Sequence, residues 1–276
     1  MRAHGDLAGG DGIDVGGHVC WGFDAIASFE QATLEFLGDG QRLGERLAYV
    51  TCEPPELQRE RLAPLGNIDR LLGQGALELH SAFDAYAPRT PSEAAARIGD
   101  YVAATARALA DGYSGLRVAA QASELLLDPA AWERQLRWES AADRHMASQP
   151  MTALCGYDRQ RIAPELLSDL QCVHPASRVG PVRAPFHIFH GDADTLVVCG
   201  EVDVFSVASF DRLLGVAFGK RGVSRLDLGE LEFIDHHGLR TLADHRRRLA
   251  EQGRALSLVR MPRAARRLGA LLEIEL

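Results

Sequence analysis

The sequence predicts an α/β fold: a mainly parallel sheet flanked by helices on both faces, followed by a second, smaller α/β unit. Two observations carry this reading. Short apolar runs alternate with segments of helical period through the first 173 residues, and such alternation buries parallel strands between helices. Residues 174–185 then hold three prolines and no apolar period, and a second alternation follows to residue 276.

Each element has its own signal. Residues 18–23 form a short apolar strand. Residues 25–37 carry Ile26, Phe29, Thr33, Phe36 and Leu37 at helical spacing. Residues 46–52 are apolar and stop at Glu53-Pro54-Pro55, a buried strand meeting a turn. A helix at 56–65 and a strand at 76–80 follow. The clearest helix is 92–109, with Ile98, Tyr101, Val102, Thr105 and Leu109 on one face. A strand at 115–120, a helix at 129–149, a strand at 151–155 and a helix at 164–172 complete the larger unit. In the smaller one, 196–199, 224–228 and 255–259 read as strands. Residues 206–218, 238–252 and 262–272 read as helices, the last with proline at a first-turn position. The domain plan is a flexible Gly/Asp-rich terminus at 1–14, a domain at 15–173, a linker at 174–185 and a domain at 186–276.

Composition excludes several classes. The 276 residues are 46% hydrophobic and 25% charged, an ordinary globular balance. No run of 18 apolar residues is present, so no membrane-spanning helix is expected. The first residues have no apolar stretch of signal-peptide type. Five widely spaced cysteines without a CxxC pair read as reduced thiols, which places the chain in the cytoplasm. Residues 186–276 balance 13 Lys and Arg against 13 Asp and Glu, so the net charge of −8 falls on residues 1–185. That acidity argues against nucleic acid as a partner. Arg246-Arg247-Arg248 reads as a solvated helix face.

The strongest local pattern is an apolar strand running into Asp235-His236-His237-Gly238-Leu239. Asp235 precedes a helix, where its carboxylate can accept bonds from free N–H groups. Together with Gly200-Glu201-Val202-Asp203 and the later strand after Gly253, this region resembles the STAS domain, the anti-anti-sigma factor family, over about 186–276. The resemblance implies that Asp235, His236, His237, Gly238 and Leu239 contact a protein partner, an anti-sigma factor of the kinase type. In that family the residue before the glycine is a serine that the partner phosphorylates. Here it is His237, preceded by His236, so hydroxyl phosphorylation is excluded at that position. A pH-sensitive, metal-binding or phosphohistidine switch stays open beside the favoured reading, a docking turn in which the histidines only form the contact surface.

The larger domain reads Gly17-His18-Val19-Cys20-Trp21-Gly22-Phe23-Asp24, then a segment ending at Cys52-Glu53-Pro54-Pro55, then 112–118 and 151–159. In that order these segments resemble the MEDS domain, a sensory domain, over about 15–175. The resemblance implies a RecA/KaiC-like fold that senses small organic molecules. A working P-loop needs a second glycine and a lysine after the first strand, where this chain has Gly22 through Phe29. The only lysine is Lys220, in the other domain, so ATP hydrolysis is not expected.

Open α/β sheets bind ligands beyond their strand C-termini. His18 and Cys20 face one side of the first strand, Phe23 ends it, Cys52 and Glu53 end the next, and Glu124 and Tyr157 follow two others. These seven form the candidate site for a small organic ligand of unknown identity. The alternative for Cys20 and Cys52 is small core residues. A metal-binding cluster of His18, Cys20, Cys52 and Glu53 is the lesser alternative, since no compact ligand spacing is present, and the cofactor is unknown. The reading is a sensor–effector regulator rather than an enzyme. A degenerate nucleotide-binding protein, an enzyme using Cys20 or Cys52, and a homodimeric scaffold are the alternatives.

Overall fold

The computed structural model describes residues 4–7, 13–82, 91–121, 123–178, 183–192, 194–219 and 222–276. Seven strands form one all-parallel sheet: β1 (Gly5–Leu7), β2 (His18–Phe23), β3 (Arg46–Thr51), β4 (Leu77–Ser81), β5 (Leu116–Gln121), β6 (Met151–Asp158) and β7 (Ala176–Arg178). Their order across the sheet is β1-β7-β2-β6-β5-β3-β4.

Period-two alternation sets the two faces. Val19, Phe23, Leu47, Tyr49, Ala119 and Leu154 point to one side, into a core with Phe29, Phe36 and Leu37 of helix α1 (Ile26–Arg42). Helices α2 (Pro55–Leu62) and α3 (Ile68–Gly73) cover the same side through Leu62, Ile68 and Leu71. Cys20, Ala48, Val50, Val118, Ala120 and Cys155 point to the other side. There they meet α4 (Pro91–Ala110), α5 (Trp132–Met146) and α6 (Pro164–Val173). Strands buried on both faces are mostly apolar, which is why β3 and β5 read as largely apolar runs, the buried Arg117 of β5 being answered by Glu45.

The second sheet is smaller, with order β11-β10-β9-β8. Its strands are β8 (Phe186–His190), β9 (Thr195–Val202), β10 (Arg225–Ile234) and β11 (Ser257–Val259). β8 and β9 are antiparallel, and the other pairs are parallel. Helices α7 (Val207–Phe218), α8 (His236–Glu251) and α9 (Arg263–Leu271) accompany it.

Three expectations change. The terminus at 1–14 contributes β1, which pairs with β7, a strand inside the expected linker. His174, also assigned to the linker, is fully buried as the C-cap of α6. Three-residue strands carry no readable period, and each forms because the other satisfies its backbone groups. The sequence reading also missed β8. It is short and holds two phenylalanines, two histidines and one isoleucine, and it lies in an interface. Both α5 and α6 pack on β8 and α7, so the two domains share one continuous core.

Polar contacts fix that docking. The Asp169 carboxylate on α6 takes two bonds from the Arg212 guanidinium, at 2.7 and 3.0 Å, and a third from Ser209. The backbone N–H of His190 donates to Asp143 Oδ2 at 2.6 Å. His187 Nδ1 donates toward the carbonyls of His174 at 2.9 Å and Gln171 at 3.1 Å.

Candidate functional site

The seven residues expected in one site separate: Cys52, Glu53 and Glu124 line one crevice, His18, Cys20 and Tyr157 lie on the face under α5, and Phe23 belongs to the core. A cavity of about 500 Å³ opens at the carboxyl ends of β3, β5 and β6, beside the start of α1. The connection from β3 to β4 leaves on one face and that from β5 to β6 on the other, so this is a switch point of the sheet. Cys52, Glu53 and Glu124 line it, with Phe29, Tyr49 and Gln121. Arg61 pairs with Glu30 at 2.6 Å and with Glu53 at 3.2 Å, while Arg161 pairs with Glu124. The walls thus combine the Phe29 and Tyr49 rings with ion-paired Arg61 and Arg161 and an excess of carboxylates, Glu30, Glu53, Glu124 and Asp158. Burial and the Glu124 charge push the Cys52 thiol up to about 12, which disfavours a nucleophilic thiolate.

His18, Cys20 and Tyr157 lie elsewhere. His18 begins β2, at the amino end of the sheet, so it lies away from this crevice. Phe23 is core, stacked on Phe29 with ring centroids 5.0 Å apart. The strand phase explains the split: His18, Cys20, Cys155 and Tyr157 share the face covered by α5 and α6.

Beneath α5 these residues form a fully buried polar cluster. His18 Nε2 is 3.2 Å from Glu139 Oε2, His174 Nε2 is 3.4 Å from the same oxygen, and Cys155 Sγ is 3.6 Å from His18 Nε2. Tyr157 donates its hydroxyl to the other Glu139 oxygen at 2.6 Å, and Gln135 also donates to that oxygen. His18 Nδ1 faces Asp143 Oδ1 at 3.5 Å. Burial opposes charge on His18, yet the Asp143 and Glu139 carboxylates raise its pKa. Burial also opposes charge on Glu139, which His174 and His18 nevertheless hold well below the usual carboxylate range. Burial lowers His174, helped by the neighbouring His18. Cys20, Cys155 and Tyr157 are pushed up by burial and by the Glu139 charge.

Glu139, Asp143, Cys155 and His174 were not anticipated. A signal existed for two of them. Gln135, Glu139 and Asp143 repeat every four residues on α5, one polar stripe beside Leu136 and Met146, and all three are buried. A helix places carboxylates in its buried stripe only where they have partners.

The third site is the turn between β10 and α8. Asp235 caps α8: its Oδ1 accepts the N–H groups of His237 at 2.8 Å and Gly238 at 3.0 Å. Gly238 is buried because a Cβ there would lie 2.6 Å from Ile234 Cγ1 and 2.9 Å from Val202 Cγ1. Leu239 is fully buried. These two residues therefore seat the helix on the strands and do not offer side chains to a partner, a correction to their expected contact role. Asp235, His236 and His237 remain partly exposed, and the two imidazole rings lie 4.0 Å apart. Replacing Asp235 with alanine should cost about 1 kcal/mol of stability through the lost cap, measurable by urea unfolding.

The loop after β9 adds residues that the sequence reading did not name. Ile234 pairs with Val202, so the segments that follow each leave the same edge of the sheet. Phe205, three residues past Val202, is 93% exposed, and Val204 and Phe233 are half exposed.

Residues 17–175 match the family model of MEDS, the methanogen/methylotroph DcmR sensory domain. The chain belongs to the MEDS family. Residues 188–275 match the model described as Mlab, STAS domain, so a STAS domain follows the MEDS domain. A comparison with curated proteins finds no match. The MEDS domain supplies the crevice and the buried cluster, and the STAS domain supplies the capped turn. The turn from β2 into α1 of the MEDS domain holds only Asp24 and Ala25, too short to wrap a phosphate as a P-loop does. Among the described residues, no helix is long and apolar enough to cross a membrane.

Proposed function

We propose that this chain is a cytoplasmic partner-switching regulator. Its MEDS domain takes up a small organic ligand at the carboxyl-end crevice, and its STAS domain binds an anti-sigma factor of the kinase type. The observation that carries the partner-binding half is the apolar rim of the STAS domain. Phe205, Val204 and Phe233 are exposed on the two segments that meet where β9 and β10 end, the second of which leads into His236 and His237, and exposed aromatic groups of this kind mark protein interfaces.

At the position where the STAS family carries a phosphorylated serine the turn has His237. Ser206, the hydroxyl in the adjoining loop, is buried and bonded to Asp203. Control comes instead from the MEDS domain, whose α5 and α6 carry β8 and α7 of the effector. A ligand that prefers one arrangement of these helices biases the effector by that preference.

A binding assay with a kinase-type anti-sigma domain tests the partner surface. Phe205→Ser and His237→Asp should each weaken binding, Phe205→Ser by about 30-fold if it acts as an aromatic anchor worth about 2 kcal/mol. Equal binding by wild type and both variants would remove this surface from the account.

A further inference from the structure

We propose that His18, Glu139, Cys155 and His174 of the MEDS domain form a closed, four-coordinate site for a divalent transition ion of the zinc class. The four donor atoms lie within 4.8 Å of one another and all four residues are buried. Their spacing fits one ion. Tetrahedral Zn²⁺ with bonds of about 2.0 Å to N and O and about 2.3 Å to S separates neighbouring N and O donors by about 3.3 Å, and N from S by about 3.6 Å. The two histidine nitrogens lie 3.2 and 3.4 Å from Glu139 Oε2, and Cys155 Sγ lies 3.6 Å from His18 Nε2 and 3.9 Å from Glu139 Oε2, the last a few tenths of an ångström long.

The hydrogen bonding points the same way. His174 Nδ1 lies 2.6 Å from the Leu170 carbonyl, an acceptor, so this nitrogen carries the proton. In the neutral ring its Nε2 therefore presents a lone pair to the Glu139 carboxylate 3.4 Å away, with no hydrogen bond between them. Lone pair facing carboxylate is repulsive unless a cation lies between them. A divalent ion placed among the four donors is matched in charge by the Glu139 carboxylate and a Cys155 thiolate, with the Asp143 carboxylate standing behind His18.

Outer partners complete the arrangement. His18 Nδ1 faces Asp143, and Tyr157 and Gln135 hold the far oxygen of Glu139. Carboxylates and carbonyls behind ligating imidazoles are the usual support of such ions. With four protein ligands and no open position, the site is structural rather than catalytic. It ties β2, β6, α5 and the end of α6 together directly beneath the effector domain. His174 and Asp143 are the same residues that receive His187 and the His190 N–H of β8.

The test uses the purified full chain, stripped with a chelator under reducing conditions, and Co²⁺ and Zn²⁺ as probes. One equivalent of Co²⁺ should bind with intense tetrahedral d–d absorption and a thiolate-to-metal charge-transfer band. Zn²⁺ should displace it. Cys155→Ser should abolish the charge-transfer band, while Cys52→Ser should leave it unchanged. Asp143→Asn should weaken Zn²⁺ affinity by about 10- to 100-fold. Failure of the folded wild type to bind either ion would overturn the proposal, as would a charge-transfer band that survives Cys155→Ser or depends on Cys52. None of these readouts involves the anti-sigma partner, so the two proposals stand or fall separately.

Discussion

Arg117→Leu is expected to lose on the order of 3–5 kcal/mol of stability, enough to threaten folding of the MEDS domain. Arg117 is fully buried in β5. Its guanidinium bonds the buried Glu45 carboxylate, lies 4.6 Å from the centroid of the Phe36 ring and reaches the Ile13 carbonyl at 3.3 Å. Leucine fills part of the volume but leaves Glu45 charged, dry and unpaired. The cost therefore comes from the abandoned partner more than from the lost bond. Arg117→Leu combined with Glu45→Leu should recover much of the loss, because an apolar pair can replace a buried ion pair of similar volume. Urea unfolding of the single and double variants measures both. A single variant within about 1 kcal/mol of wild type would contradict the assigned role.

The second large effect is at Phe29, where core and crevice meet. Phe29 is fully buried, stacks on Phe23, packs against Trp21 and forms one wall of the carboxyl-end cavity. Phe29→Ala should cost about 3–5 kcal/mol as a truncation that leaves a hole. The hole would open into the ligand crevice, so ligand selectivity should shift toward larger molecules. Gly156 is the reciprocal position. A Cβ there would lie 2.1 Å from Phe29 Cε2, so Gly156→Ala alone should destabilise by about 1–3 kcal/mol. In the Phe29→Ala background the same change should be nearly neutral or favourable. That non-additivity is the expected sign of two residues sharing one volume. Additive costs in thermal unfolding would mean that the two sites are independent.

Much of the fold was legible because its strands are buried on both faces and its helices are amphipathic. The alternation of Leu47, Ala48, Tyr49 and Val50 needs no partner to be recognised. β1, β7 and β8 were illegible for the opposite reason. β1 and β7 are too short for a period, β8 mixes phenylalanine with histidine on both faces, and each is completed or covered by another segment. The site divided in the same way. Cys52, Glu53 and Glu124 could be found because strand ends in an open sheet converge by rule. His18 could be noticed but not placed, since its partners come from α5, β6 and the end of α6, more than 120 positions away. Only the stripe of Gln135, Glu139 and Asp143 hinted at them. In the STAS turn, sequence alone could not separate contact from scaffold. His236 and His237 reach water, while Gly238 and Leu239 are spent on seating the helix.

In the proposed regulator the MEDS domain sets the partner affinity of the STAS domain through the docked α5–α6 surface. The most direct measurement is the dissociation constant of a kinase-type anti-sigma domain for the full chain, comparing wild type with Asp169→Asn. Asp169 holds Arg212 and Ser209 across the domain boundary and lies on neither the crevice nor the STAS rim. Loosening this contact should change the dissociation constant by about 5-fold or more, the lower range of ordinary coupling between sites. An unchanged constant in a variant that remains folded would contradict the account, leaving two domains that share a core but not a signal.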